Sequence, residues 1–131
     1  MELILDTEFV IALERERAKK QEGPAKHFLK LHSRDHFFIT FTVAGELACG
    51  RSVAAKQAWQ RLCQPFFIIP WNPQISWIYG EIFRELQADG NLIGANDLWI
   101  AATALSRNAN LVSNNLRDFG RIAELNVMRY E

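Results

Sequence analysis

The run Leu3-Ile4-Leu5, closed at once by Asp6 and Thr7, restricts what this chain can become more than any other stretch. Three aliphatic residues between polar neighbours read as a short strand buried on both faces, which then opens into a helix. In an open α/β sheet the chemistry lies beyond the carboxyl ends of the strands, and Asp6 falls there. An unpaired charge out of water is strongly disfavoured. Asp6 therefore requires a cation, a metal or hydrogen-bond donors.

Short apolar runs separated by amphipathic stretches continue along the chain. Residues 8–20 read as a helix with Phe9, Val10 and Leu13 inward, but from Glu14 to Glu22 the pattern is polar on every side, as in a segment facing solvent or a partner. Gly23-Pro24 ends it, and Pro24 suits the first turn of a second helix through Leu31. The two helices are expected to form a hairpin standing off the sheet. Phe37-Phe38-Ile39 is the second strand, after which Thr42 is expected to cap a short helix carrying Val43, Glu46 and Leu47 up to Gly50. Another helix is expected over 52–64, and Phe66-Phe67-Ile68-Ile69 is expected as a third buried strand.

Asn72-Pro73 starts a long helix to about residue 88, with Ile75, Ile78, Ile82, Phe83 and Leu86 on one face. Asn96 is expected to cap the next helix, with Asp97 in its first turn and Leu98, Ala101, Ala102 and Leu105 against the sheet. Leu111-Val112-Ser113 is the fourth strand and 126–130 a fifth. This alternation predicts one three-layer α/β domain over residues 1–131, with a central parallel sheet of four or five strands flanked by helices.

The formal net charge of zero argues against indiscriminate nucleic-acid binding. The charge is unevenly spread: between residues 25 and 64 the acidic side chains are only Asp35 and Glu46. Arg51, Lys56 and Arg61 in that region are candidates for phosphate contact, with plain solvent exposure as the equal alternative. No apolar run reaches membrane-span length and no signal region opens the chain, so a cytoplasmic protein is expected. Cys49 and Cys63 lack metal-ligand spacing and read as reduced core thiols. His27, His32 and His36 do not share helical ligand spacing. The tryptophans read mostly as core residues, with Trp71 in a loop.

Four carboxylates stand in comparable settings. Asp6 follows a strand, Glu46 lies in the first turns of a helix after a strand, Asp97 opens a helix, and Asp118 follows the Leu111 strand beside Asn115. Each has an ordinary explanation as a helix cap, an exposed helix residue, a dipole partner or a turn residue. Gathered at one point they would repel, and a divalent ion would relieve that repulsion. Oxygen ligands without histidine or thiolate suit magnesium or manganese rather than zinc.

The joint pattern resembles the PIN-domain nucleases, and among them the VapC-type toxins of bacterial toxin–antitoxin pairs. It is carried by Leu3-Ile4-Leu5-Asp6-Thr7, by Thr42-Val43-Ala44-Gly45-Glu46-Leu47 with Gly50, and by the segment from Ile93 to Ala104 that contains Asn96-Asp97. Leu111-Val112-Ser113-Asn114-Asn115 with Asp118-Phe119 completes the order over nearly the whole chain. The resemblance implies RNA cleavage by metal-activated water, with Asp6 and Asp97 as main ligands of Mg2+ or Mn2+. It implies that Glu46 holds the attacking water and that Thr7, Ser113 and Asn115 shape the site. Asn115 stands where many members carry an aspartate, and Asp118 is the neighbour able to compensate. The resemblance further implies a cognate antitoxin and a homodimer.

Two other classes fit parts of the sequence. Asn115 and the polar segment 14–22 would suit a PIN-like module that binds RNA or protein without cutting. An aspartyl-phosphate phosphotransferase would also place a nucleophilic aspartate after its first strand. Here Glu8, not an aspartate, stands two positions after Asp6, and no suitable lysine follows a later strand. The identity of the RNA is not written in these residues.

Overall fold

Leu3, Ile4 and Leu5 are fully buried, as a strand covered on both faces demands. A computed structural model describes residues 1–131, the side chain of Ser52 excepted. Its strands are β1 (Glu2–Leu5), β2 (His36–Thr40), β3 (Phe67–Ile69), β4 (Asn110–Val112) and β5 (Val127–Met128). All neighbours pair in parallel, in the order β3-β2-β1-β4-β5. The helices are α1 (Thr7–Ala18), α2 (Pro24–Leu31), α3 (Phe41–Ala48), α4 (Lys56–Cys63), α5 (Pro73–Ala88), α6 (Ala95–Arg107) and α7 (Leu116–Phe119). The sheet thus has the fifth strand as well as the four.

The strand order fixes where a site can form. From β1 the chain steps outward through β2 to β3, then returns by α5 and α6 to place β4 on the other side of β1. Between β1 and β4 the connections leave in opposite directions, and a crevice opens there at the carboxyl ends of the strands. Ala101, Ala102 and Ala104 of α6 are completely buried. Such small side chains let a helix backbone approach its neighbours closely, which brings the start of α6 to the crevice. Among the described residues no helix is long and apolar enough to cross a membrane.

Several local expectations are corrected. The cap of α3 is Thr40, not Thr42: the buried Thr40 hydroxyl accepts from the Val43 amide at 3.1 Å, while Thr42 only exchanges a hydrogen bond with it. The 52–64 helix is broken into a 3-10 turn at Arg51–Val53 and the shorter α4, so Arg51 does not share a helix with Lys56 and Arg61. β3 is an edge strand rather than a buried one, with Phe67 68% and Ile68 42% exposed. Cys49 is exposed at the end of α3, and Cys63 alone is a buried thiol. Trp77 is exposed, with the Arg84 guanidinium 5.3 Å from its ring centre.

Nor does the helical hairpin stand clear of the body: Phe9 and Leu13 of α1 and Ala25 and Phe28 of α2 belong to the same buried core as the sheet. Phe28 of α2 is buried edge-on against Phe9 of α1, with ring centres 5.8 Å apart. The polar segment after Leu13 braces the corner from within, because Glu16 accepts hydrogen bonds from the amides of Gly23, Ala25 and Lys26, each at 2.9 Å. It satisfies the free donors at the start of α2 that Gly23, lacking a side chain, leaves open.

Candidate active site

The crevice holds a pocket of about 310 Å³ lined by Asp6, Thr7, Glu8, Glu46, Gly94, Asn96, Asp97 and Asn115. Asp6 directly follows β1 and caps α1, its Oδ1 accepting from the Phe9 amide at 2.9 Å. Capping does not take Asp6 away from the crevice: one oxygen anchors the helix while the residue lines the pocket. Burial pushes its carboxyl above the ordinary range. Hydrogen bonding to Ser113 and the Phe9 amide opposes that, and the charges of Glu8 and Glu46 add to it.

Asp97 lies in the first turn of α6, half-buried. Its pKa is pushed up to about 6, first by burial and then by the negative charges of Asp118, Asp6, Glu46 and Glu8. Tyr130 packs its ring against Phe9 at 4.7 Å, and its phenol is pushed up to about 12 by burial and by the same acidic field. Carboxylates from α1, α3 and α6 thus feel one another in one place.

Glu46 is exposed on α3 yet doubly tethered. Thr7 Oγ1 donates to Glu46 Oε2 at 2.7 Å, and the Asn96 side-chain amide donates to the same oxygen. Asn96 is not the cap of α6: that position is Gly94, and Asn96 sits inside the first turn with its side chain turned to Glu46. Asn96, expected only as a helix cap, and Glu8 and Gly94 are pocket residues to which sequence reasoning gives no site role. For Asn96 the available signal is its place beside Asp97 in the helix opening; for Glu8, its place in the first turn after Asp6.

Ser113 is fully buried at the end of β4, and its hydroxyl accepts from the Asn115 amide at 3.0 Å. Asn115 lines the pocket and caps α7, with Oδ1 accepting from the Asp118 amide and Nδ2 donating to Asp118 Oδ2 at 3.2 Å. Asp118 is not among the pocket-lining residues. Hydrogen bonding from Asn115 and Arg117, with the charge of Arg121, holds its carboxyl below the usual range. Its influence on the pocket is its field on Asp97. Arg51, Lys56 and Arg61 are exposed and line no part of this pocket.

A second hollow of about 600 Å³ adjoins the first and shares Thr7 and Glu46 with it. Its wall is mainly apolar, with Val10 and Ile11 from α1, Leu47 from α3, and Val53 and Leu62 from the segment beyond, while Glu14 and Arg15 also line it. The chemistry available is therefore an acidic, oxygen-lined recess at a topological switch point, opening beside an apolar groove.

A five-stranded parallel sheet with this order and an acidic recess beyond β1 defines a class, and the chain belongs to it: its sequence matches the PIN domain family over residues 3–125. Within the family its relatives are VapC ribonucleases. Ribonuclease VapC1 of Haemophilus influenzae strain R2866 is 33% identical over 127 residues, covering 93% of this chain and 92% of that protein. The solved VapBC-1 from nontypeable Haemophilus influenzae superposes with a TM-score of 0.81 at 31% identity, over 99% of this chain and 98% of that one. VapBC2 from Rickettsia felis, solved bound to a DNA fragment from its promoter, gives 0.81 at 26% identity over the full length of both chains.

Proposed function

We propose that this chain is a metal-dependent endoribonuclease, the toxin of a toxin–antitoxin pair, cutting RNA phosphodiester bonds with water as nucleophile. The observation that carries the reading is the convergence of Asp6, Glu46 and Asp97 on one pocket at the β1/β4 crevice. The similarity to the VapC ribonucleases over nearly the whole chain supports it.

The pocket's donor set fits a hard divalent cation, Mg2+ or Mn2+. Its ionisable side chains are all carboxylates, and their mutual repulsion at Asp97 is what a cation would remove. Among the described residues no three such side chains stand together as a preformed metal cage. Asp6 and Asp97 are the residues that would hold it. Once bound, such an ion lowers the pKa of a water and offsets charge on the phosphoryl oxygens.

Glu46, fixed through Oε2, orients the attacking water and accepts its proton. Thr7 holds that carboxylate, Ser113 holds Asp6, and Asn115 keeps Asp118 turned to the edge of the site. Arg51, Lys56 and Arg61, exposed outside the pocket, are the candidates for contact with the RNA backbone. The apolar groove beside the pocket takes a segment of the antitoxin, and the toxin forms a homodimer.

Cleavage of a mixed RNA substrate in magnesium or manganese is the test. Asp6→Asn and Asp97→Asn should each lower cleavage by a factor of about a thousand, since each takes away a charged ligand of the ion that would activate the water and offset charge on the phosphoryl oxygens. RNA cut equally well by both variants would overturn the proposal.

A further inference from the structure

Glu46 presents a physical problem that the fold solves in an unexpected way. The side chain is exposed, and fixing a glutamate in one conformation costs rotamer freedom. Left alone it would sweep solvent rather than serve a reacting atom. Two donors from different elements restrain it: the Thr7 hydroxyl at the start of α1 and the Asn96 amide in the first turn of α6. Both act on Oε2, and Oε1 has no hydrogen-bond partner among the described residues.

We infer that Asn96 is a positioning residue for Glu46: its side-chain amide, with the Thr7 hydroxyl, pins Oε2 so that Oε1 is the one oxygen offered to the reacting water. The chemical character of the restraint matters. Lysine or arginine at this position would also grip the carboxylate, but would cancel part of the negative charge that lets Asp6 and Asp97 attract a cation. An amide and a hydroxyl are neutral donors, so they fix geometry and leave the charge in place. Because the same helical turn carries Asn96 and Asp97, the approach of α6 to the crevice sets both groups at once.

The role assigned to Oε1 rests on the ribonuclease reading; the restraint itself does not. Two readouts separate them. In metal-free protein with 13C-labelled glutamate side chains, the Glu46 carboxyl resonance, assigned by its loss in Glu46→Gln, should move or broaden in Asn96→Ala. In cleavage, Asn96→Ala should lower kcat about tenfold to a hundredfold with KM within about twofold, the range set by one hydrogen bond to a charged group. In a Glu46→Ala background it should lower kcat no further. Asn96→Asp, of equal size but without the donor and with a like charge facing Glu46, should lose at least as much while keeping its fold by circular dichroism.

An unmoved Glu46 resonance, or an Asn96→Ala effect that persists undiminished without Glu46, overturns the inference. If the unaltered chain cuts no RNA, the ribonuclease reading falls and the carboxyl resonance alone decides whether Asn96 restrains Glu46.

Discussion

Asp97 is the residue at which burial and converging charge can be measured directly. Its pKa is raised from 3.8 to about 6 in the folded chain, so between those values the folded state holds a proton that the unfolded state has released. Stability from this group is therefore full below about pH 4 and falls as pH rises through 6. The group is half-buried, and after discounting for solvent screening the cost is about 1–2 kcal/mol at neutral pH. Metal-free Asp97→Asn should accordingly be more stable than the unaltered chain at pH 7.5, with the gap closing toward pH 4. Urea unfolding of both chains across that range, in the presence of a chelator, checks it; a gap that stays constant would mean that Asp97 carries no raised pKa. The same residue shows what sequence reading can reach. Asp6 is legible because it stands just past a strand, Asp97 because it opens a helix, and Glu46 because it lies within the short helix that follows a strand. The Asn96 link to Glu46 is not, because its partners lie fifty residues apart and only the return of α6 to the crevice joins them.

Among the elements, the α1–α2 corner shows how a segment that looks free in the sequence is committed in the fold. Every residue from Glu14 to Glu22 except Ala18 is polar, and period alone does not tell a clamp or a partner-binding helix from an internal brace. What decides is one side chain: Glu16 takes three backbone amides at the start of α2. Burial pushes its carboxyl up, but the amides of Lys26, Ala25 and Gly23 outweigh that and hold it below the ordinary range. Its stabilising effect is thus present above about pH 4.5 and is lost as pH falls through the lowered value. Glu16→Ala should destabilise the chain by about 1–2 kcal/mol, the size of a lost helix cap, with faster hydrogen exchange at the Gly23, Ala25 and Lys26 amides. Gly23→Ala should reproduce the exchange signature, since a Cβ there would sit 2.6 Å from the Glu16 carboxyl carbon. Unchanged exchange in both variants would show that Glu16 does not cap α2. The cap of α3 is hard to place from sequence for a related reason: Thr40 and Thr42 carry the same hydroxyl, and only the end of β2 determines which one faces the open amides.

For the whole molecule, the strand order β3-β2-β1-β4-β5 is the decisive fact, and no local pattern in the chain states it. Apolar runs reveal the strands, but the uniformly apolar Phe66-Phe67-Ile68-Ile69 gives no sign that β3 lies at an edge. Its place there, with Phe67 and Ile68 exposed, follows from the return of the chain to the far side of β1. That return also makes the acidic pocket a junction: Asp6 leaves the central strand, Asn115 follows β4, Glu46 comes from α3 and Asp97 from α6. A cation bound there ties together parts of the chain that are distant in sequence, so occupancy should appear as global stability and not only as activity. Binding to the folded state alone adds about 1.4 kcal/mol when the free ion is at ten times its dissociation constant. For a chain of 131 residues this corresponds to a rise in Tm of roughly 3–6 °C. Thermal unfolding with magnesium or manganese against chelator should show that rise in the unaltered chain and lose it in Asp6→Asn and Asp97→Asn. A rise of equal size in all three chains would place the ion elsewhere on the protein and leave the convergence of carboxylates without the ligand proposed for it.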